Sequence, residues 1–109
     1  MVGPNAVKPG DVVTAMNGLE IEVSNTDGEG RMVMADLLYY AATEFKPKHL
    51  VDMATLTGGC AMAFGGFGSC VMSVNDGLVN RLQKGFREAN ERMWTLQIFQ
   101  MRKSELLIK

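Results

Sequence analysis

The residues of this chain best equipped for chemistry are bunched in one short polar run, Asn25-Thr26-Asp27-Gly28-Glu29-Gly30-Arg31. In an extended backbone successive side chains alternate sides, so Asp27, Glu29 and Arg31 would all point the same way. Two carboxylates and a guanidinium on one spot suit a hard or borderline divalent cation. Such a cation prefers oxygen ligands, and its charge makes two close carboxylates tolerable. Gly28 and Gly30 would let the backbone approach a metal or an anion with no Cβ in the way. The same residues have a second reading. Thr26-x-x-Glu29 is the pattern of a capping box, in which Thr26 caps a helix, Glu29 reaches back to it and Arg31 is a solvated first-turn residue. Spacing by itself favours the cap, because that pattern recurs by chance in many helices.

The elements that must position this run are readable on either side. Pro9-Gly10-Asp11 signals a turn, and the apolar run 12–16 reads as a short strand. Asn17-Gly18 is a strong two-residue hairpin signal. Leu19, Ile21 and Val23 then alternate with Glu20 and Glu22, which predicts a half-exposed return strand. The polar stretch 24–31 predicts a loop. Val33, Leu37, Leu38, Ala41, Ala42 and Phe45 keep helical spacing over 32–45, and Met34 and Tyr40 widen that face toward a largely buried helix. Lys46-Pro47 should end it. A short buried strand is expected over 49–53, glycine-rich loops follow, and an amphipathic helix is expected over 76–94 on Leu78, Val79, Leu82, Phe86, Ala89 and Met93. A further helix is expected over 99–108. Strands alternating with helices predict an α/β architecture.

Composition excludes several classes. A chain of 109 residues suits one small domain, and 47% hydrophobic with 21% charged residues is globular rather than disordered. A net charge of −1 offers no footprint for nucleic acid and no polybasic membrane anchor. Cys60 and Cys70 are too few for a disulfide framework and match no zinc spacing, so they read as small buried hydrophobes of a reducing compartment. The first ten residues hold no apolar run of a secretory signal. The uncharged stretch 53–75 could span a bilayer by length, but its repeated glycines favour tight loops. His49 is the only histidine, so no Ser-His-Asp or Cys-His set is readable. Gly65-Gly66-x-Gly68 lacks the Lys-Ser/Thr of a phosphate loop and reads as a flexible turn.

The whole run N-T-D-G-E-G-R-M-V-M-A-D over 25–36 closely resembles the signature of the leucyl aminopeptidase (cytosol aminopeptidase) family of metalloaminopeptidases, normally N-T-D-A-E-G-R-L-x-L-A-D. Upstream, Asn5-x-x-Lys8-Pro9-Gly10-Asp11-Val12 and Met16-Asn17-Gly18 resemble the segment preceding that signature. Downstream, Val51-Asp52-Met53-Ala54-Thr55-Leu56-Thr57-Gly58-Gly59 is similar to its second block, and Glu91-Arg92-x-Trp94-x-Leu96 to a later helix end. The resemblance implies that Asp27 ligates one metal ion and Glu29 bridges two. It implies that Arg31 holds a bicarbonate acting as general base for the attacking water. Gly30 and Leu56 resemble backbone contributors around that anion and the substrate, and Thr55 and Gly58 resemble residues lining the pocket for the first side chain.

There are departures. Gly28 stands where the family has alanine, and Met32 and Met34 stand for leucines, a nearly volume-conserving exchange. The family's metal-binding lysine, two further aspartate ligands and catalytic lysine come from sequence ahead of this stretch. Two carboxylates alone are not expected to hold a metal pair tightly.

The resemblance therefore implies a partial catalytic domain over 1–109, cut from an α/β/α sandwich with a mixed central sheet and beginning with a β-hairpin. The implied function is metal-dependent hydrolysis of N-terminal, leucine-type amino acids from peptides, in the cytoplasm. Two manganese or zinc ions and a hexameric homo-oligomer come with it, without nucleic acid or membrane partners. Two rival expectations stand beside it. One is a non-catalytic remnant that assembles with full-length subunits. The other is a PDZ-like peptide-binding module, because residues 8–18 also resemble the P-G-D-x-I-x-x-x-N-G turn of those domains.

Overall fold

The computed structural model describes residues 3–98, so the helix expected over 99–108 lies outside the described residues. The chain divides into two compact units, one running to Leu56 and the other starting at Thr57.

The first unit opens on the turn at Lys8–Asp11. The Asp11 amide donates to the Lys8 carbonyl at 3.1 Å, and Gly10 takes φ +90°, the left-handed position a type II turn requires after proline. The Asp11 carboxylate accepts from the Lys8 amide at 2.8 Å, and the Lys8 ammonium stands 3.5 Å away. That amide bond is the main cause that holds the Asp11 carboxyl below its ordinary range; burial opposes it, and the Lys8 charge adds a smaller lowering. A depressed carboxylate stabilises the fold above its ordinary range, and that contribution is lost as pH falls through the depressed value. The Lys8 amide resonance should therefore titrate with a midpoint below that of aspartate in an unfolded peptide of the same residues. Equal midpoints would mean that the bond is not made in solution.

β1 (Val12–Thr14) pairs antiparallel with β2 (Glu20–Glu22), in the register Val12↔Glu22, Val13↔Ile21 and Thr14↔Glu20. The expected hairpin forms, but its loop has three residues instead of two. The Ala15 amide donates to the Leu19 carbonyl and the Gly18 amide to the Ala15 carbonyl, each at 2.8 Å. Gly18 alone adopts the left-handed conformation, at φ +83°, while the Asn17 side chain accepts from the Leu19 amide at 3.0 Å. Asn17 thus uses its side chain to support the turn and leaves the positive φ to glycine. This register turns Val13 and Ile21 to the half-buried face and is followed by Val23, only 4% exposed.

A 3-10 turn (Thr26–Gly28) leads directly into α1 (Glu29–Phe45), so the helix starts three residues before the expected boundary. It ends as expected: Lys46 leaves the helix in the left-handed region (φ 44°, ψ 50°), because the following proline disfavours right-handed helix there. The expectation of a largely buried helix fails. α1 has no buried residue, and Val33, Leu37 and Phe45 are 59%, 60% and 71% exposed. Met34, Leu38 and Ala41 are half-buried, while Val33, Leu37 and Tyr40 form an exposed apolar stripe. A helix apolar on both sides needs cover on both, and the described residues cover one. The strand expected over 49–53 is also absent. Its residue types suit a strand, but a strand is completed by a ladder, and this segment joins neither ladder formed among the described residues.

The second unit holds α2 (Gly59–Phe64), β3 (Ser69–Met72), α3 (Asp76–Glu88) and β4 (Met93–Leu96). β3 and β4 are parallel neighbours, Ser69↔Met93 through Met72↔Leu96, joined by α3 as a βαβ crossover. The stretch expected to be loops therefore contains a short helix and a strand. α3 is capped by Asn75, whose side chain accepts from the Leu78 amide at 3.0 Å, and it buries Val79 to 7% exposure. It stops at Glu88 instead of continuing to residue 94. Asn90 sits at φ 56°, with its amide donating to the Arg87 carbonyl and the Glu91 amide donating to the Phe86 carbonyl at 2.8 Å. That bond pair is a Schellman stop, with asparagine in the left-handed position. The residues read as a helix end, Met93, Trp94 and Leu96, lie in β4. Among the described residues no helix is long and apolar enough to cross a membrane.

Candidate functional site

The polar run takes a shape that neither of its sequence readings anticipates. Asn25 is extended (φ −137°, ψ 114°), and its side-chain oxygen accepts from the Asp27 amide at 3.0 Å. Its carbonyl accepts from the Gly28 amide at 3.2 Å. Asn25 thereby caps the turn, and Thr26 lies inside it, so the Thr26–Glu29 capping box is not what starts this helix. Nor are Asp27, Glu29 and Arg31 in an extended strand. Asp27 is in the 3-10 turn, Glu29 is the first residue of α1 and Arg31 the third. The preference of asparagine for a position just ahead of a helix was the available signal for this cap.

All three charged side chains are exposed. The Arg31 guanidinium curls back over the loop, with Nη1 3.9 Å from where a Cβ on Gly28 would stand. The ion pairs among the described residues are Lys8–Asp11 and Lys84–Glu88, so neither loop carboxylate is committed to one. The donor chemistry suits a divalent cation: two exposed carboxylates on adjoining turns, with an acid also favoured at a helix start by the backbone dipoles. It is a partial set. Among the described residues no group of three or more His, Cys, Asp or Glu side chains converges.

The structure joins a second block to this loop. A Cβ built on Gly30 would lie 3.0 Å from Leu56 Cδ1, so Leu56 sits directly against the first turn of α1. Thr55, exposed, precedes it in the chain. Gly58 belongs to the second unit, where it caps α2 and its carbonyl accepts from the Met62 amide at 3.0 Å. Replacing Gly30 by alanine is expected to separate stability from function. Alanine is worth up to about 1 kcal/mol more than glycine within a helix, and the displaced atom is the end of a flexible side chain. The melting temperature should hold or rise while Leu56 shifts, which a changed Leu56 methyl chemical shift would show.

Asp36 was not singled out by its position in the sequence, although it closes the run quoted above. Its carboxylate accepts from the Met16 amide at 2.8 Å and ties the hairpin loop to α1. An aspartate inside a helix is a weak helix former, which is the signal that it serves another contact. The open cleft lined by Phe67, Arg87, Asn90, Glu91 and Arg92 contains none of the candidate residues.

The backbone path defines the class, an α/β fold of the leucine aminopeptidase kind. It matches a tomato leucine aminopeptidase variant with a TM-score of 0.85 at 36% sequence identity, over 95% of this chain and 20% of that one. The chain belongs to the cytosol aminopeptidase family, whose catalytic-domain model matches residues 1–107. A probable cytosol aminopeptidase of Burkholderia cenocepacia (strain HI2424) is 51% identical over 98 residues, covering 90% of this chain and 19% of that protein. One from Rickettsia canadensis is 48% identical over 98 residues, covering 90% and 20%. The chain thus spans about one fifth of the length of the curated relatives it matches.

Proposed function

We propose that this chain supplies the metal- and anion-holding loop of an aminopeptidase that removes N-terminal, leucine-type amino acids from peptides. The observation that carries the reading is the exposed, Asn25-capped turn that presents Asp27 and Glu29, with Arg31 folded back over Gly28. Asp27 and Glu29 would hold divalent cations, manganese or zinc, which when bound lower the pKa of a water and polarise a carbonyl. Arg31 offers a planar fork of donors that can grip a bicarbonate through two parallel hydrogen bonds and orient it. Gly30 keeps the helix start free of a side chain, and Leu56 shields it from one side. Thr55 and Gly58 would line the pocket for the substrate's first side chain. The reading extends, by resemblance to the family, to cytoplasmic residence and assembly into a hexamer.

Calorimetric titration of manganese or zinc into the chain tests it, alongside Asp27→Ala and Glu29→Ala. Saturable binding that disappears in both variants is the expected result. Equal heats in all three proteins, with helix content unchanged, would leave the loop a capped turn and nothing more.

A further inference from the structure

Two cysteines stand apart from the site described above: Cys60 in α2 and Cys70 in β3, both free and half-buried. The packing of the second unit brings them together. Cys70 is the register partner of Trp94 across the β3–β4 ladder, so the two side chains emerge on the same face of the sheet. The Trp94 ring stacks on Phe64, with centroids 5.2 Å and planes 15° apart. Phe64 is the last residue of α2, and Cys60 precedes it by four positions, which puts both on one face of that helix. The face of α2 that meets Trp94 therefore also meets Cys70. The thiols feel one another: burial first, and then the charge and hydrogen bond of Cys60, push the Cys70 thiol above its ordinary value.

We propose that Cys60 and Cys70 form a reversible intramolecular disulfide when the chain meets hydrogen peroxide, cross-linking α2 to β3. The Cys60 sulfur, as thiolate, attacks one peroxide oxygen. The O–O bond breaks, and the departing oxygen leaves as water after taking a proton, so Cys60 carries a sulfenic acid. The Cys70 sulfur then attacks the Cys60 sulfur. The S–O bond breaks and a second water leaves with the Cys70 proton. Two thiols lose two electrons in all, and one hydrogen peroxide is reduced to two waters. Burial first, and then the neighbouring Cys60, disfavour the Cys70 thiolate, so Cys70 takes the resolving role in this scheme. A dithiol reductant reverses the change by exchange. Nothing in this inference depends on the metal loop.

The test uses the whole chain at low concentration, treated with hydrogen peroxide, quenched with catalase, alkylated with iodoacetamide and digested with trypsin. No lysine or arginine lies between His49 and Arg81, so one tryptic peptide carries both cysteines. That peptide should lose both alkyl labels together and become lighter by two hydrogens. Cleavage after Phe64 should leave its halves joined until dithiothreitol is added. Oxidation of Met53, Met62 or Met72 changes the mass but not the alkyl labelling. In Cys70→Ser, a conservative exchange checked by circular dichroism, dimedone should trap a sulfenic acid on Cys60. The proposal is overturned if both thiols still alkylate after peroxide, or if oxidation yields only dimers between chains.

Discussion

Replacing Glu29 by glutamine, in a complete cytosol aminopeptidase whose matching stretch is exchanged for this one, is expected to lower kcat on leucine-terminated peptides by about a thousandfold or more. The reason lies in what the substitution leaves alone. Glu29 is the exposed first residue of α1 and makes no ion pair among the described residues, so glutamine disturbs no packing. What it removes is the charge that would neutralise a cation. As a purely structural residue Glu29 would contribute only its attraction to the helix start, about 0.3–1 kcal/mol. The two roles therefore differ in scale. A helix-start role shifts the melting temperature slightly and leaves turnover intact; a bridging role abolishes turnover and bound metal and barely moves the melt. Turnover, metal content by emission spectroscopy and a thermal melt on the same preparation separate them. Turnover within a fewfold of the parent enzyme would remove Glu29 from the metal site.

The second large effect concerns Gly68, where alanine is expected to cost the second unit about 3 kcal/mol, the upper end for forcing an extra group into a packed site. The new Cβ would overlap the Trp94 ring and come within 2.7 Å of the Arg92 carbonyl oxygen. Neither neighbour can easily give way. The ring is stacked on Phe64, and the Arg92 carbonyl is held by the Ser69 amide at 3.0 Å. For a unit of this size the melt should fall by roughly 25 °C. Trp94 is the only tryptophan, so its fluorescence reports the transition at the site of the clash. Gly66→Ala is the control, because a Cβ there meets nothing within 4 Å and the backbone is not left-handed. If the two variants melt alike, Gly68 is only a flexible turn residue.

The contrast between Gly66 and Gly68 shows where the sequence stops being informative. Both belong to the same glycine-rich run, and nothing local separates them; the approach of Trp94 does, and Trp94 comes from a strand on the far side of α3. The same holds at the candidate site. The signature run marks Asp27, Glu29, Gly30 and Arg31 as a group, and the second block marks Leu56. Only the fold sets Leu56 against Gly30, or returns the Arg31 guanidinium over Gly28.

The sequence by itself determined the β-hairpin, through the alternation of Leu19, Ile21 and Val23 with glutamates; the body of α1 and its stop at Lys46-Pro47; and membership of the cytosol aminopeptidase family. Each of these is a local property, written in side-chain period, proline sterics or a contiguous run of residues. The tertiary structure alone decided that residues 93–96 form a parallel strand and that residues 49–53 do not form one. β4 exists because β3 lies alongside it, while 49–53 has strand-forming residues but joins no ladder among the described residues. A strand is completed by hydrogen bonds to residues distant in the chain, and no spacing within a segment can supply them.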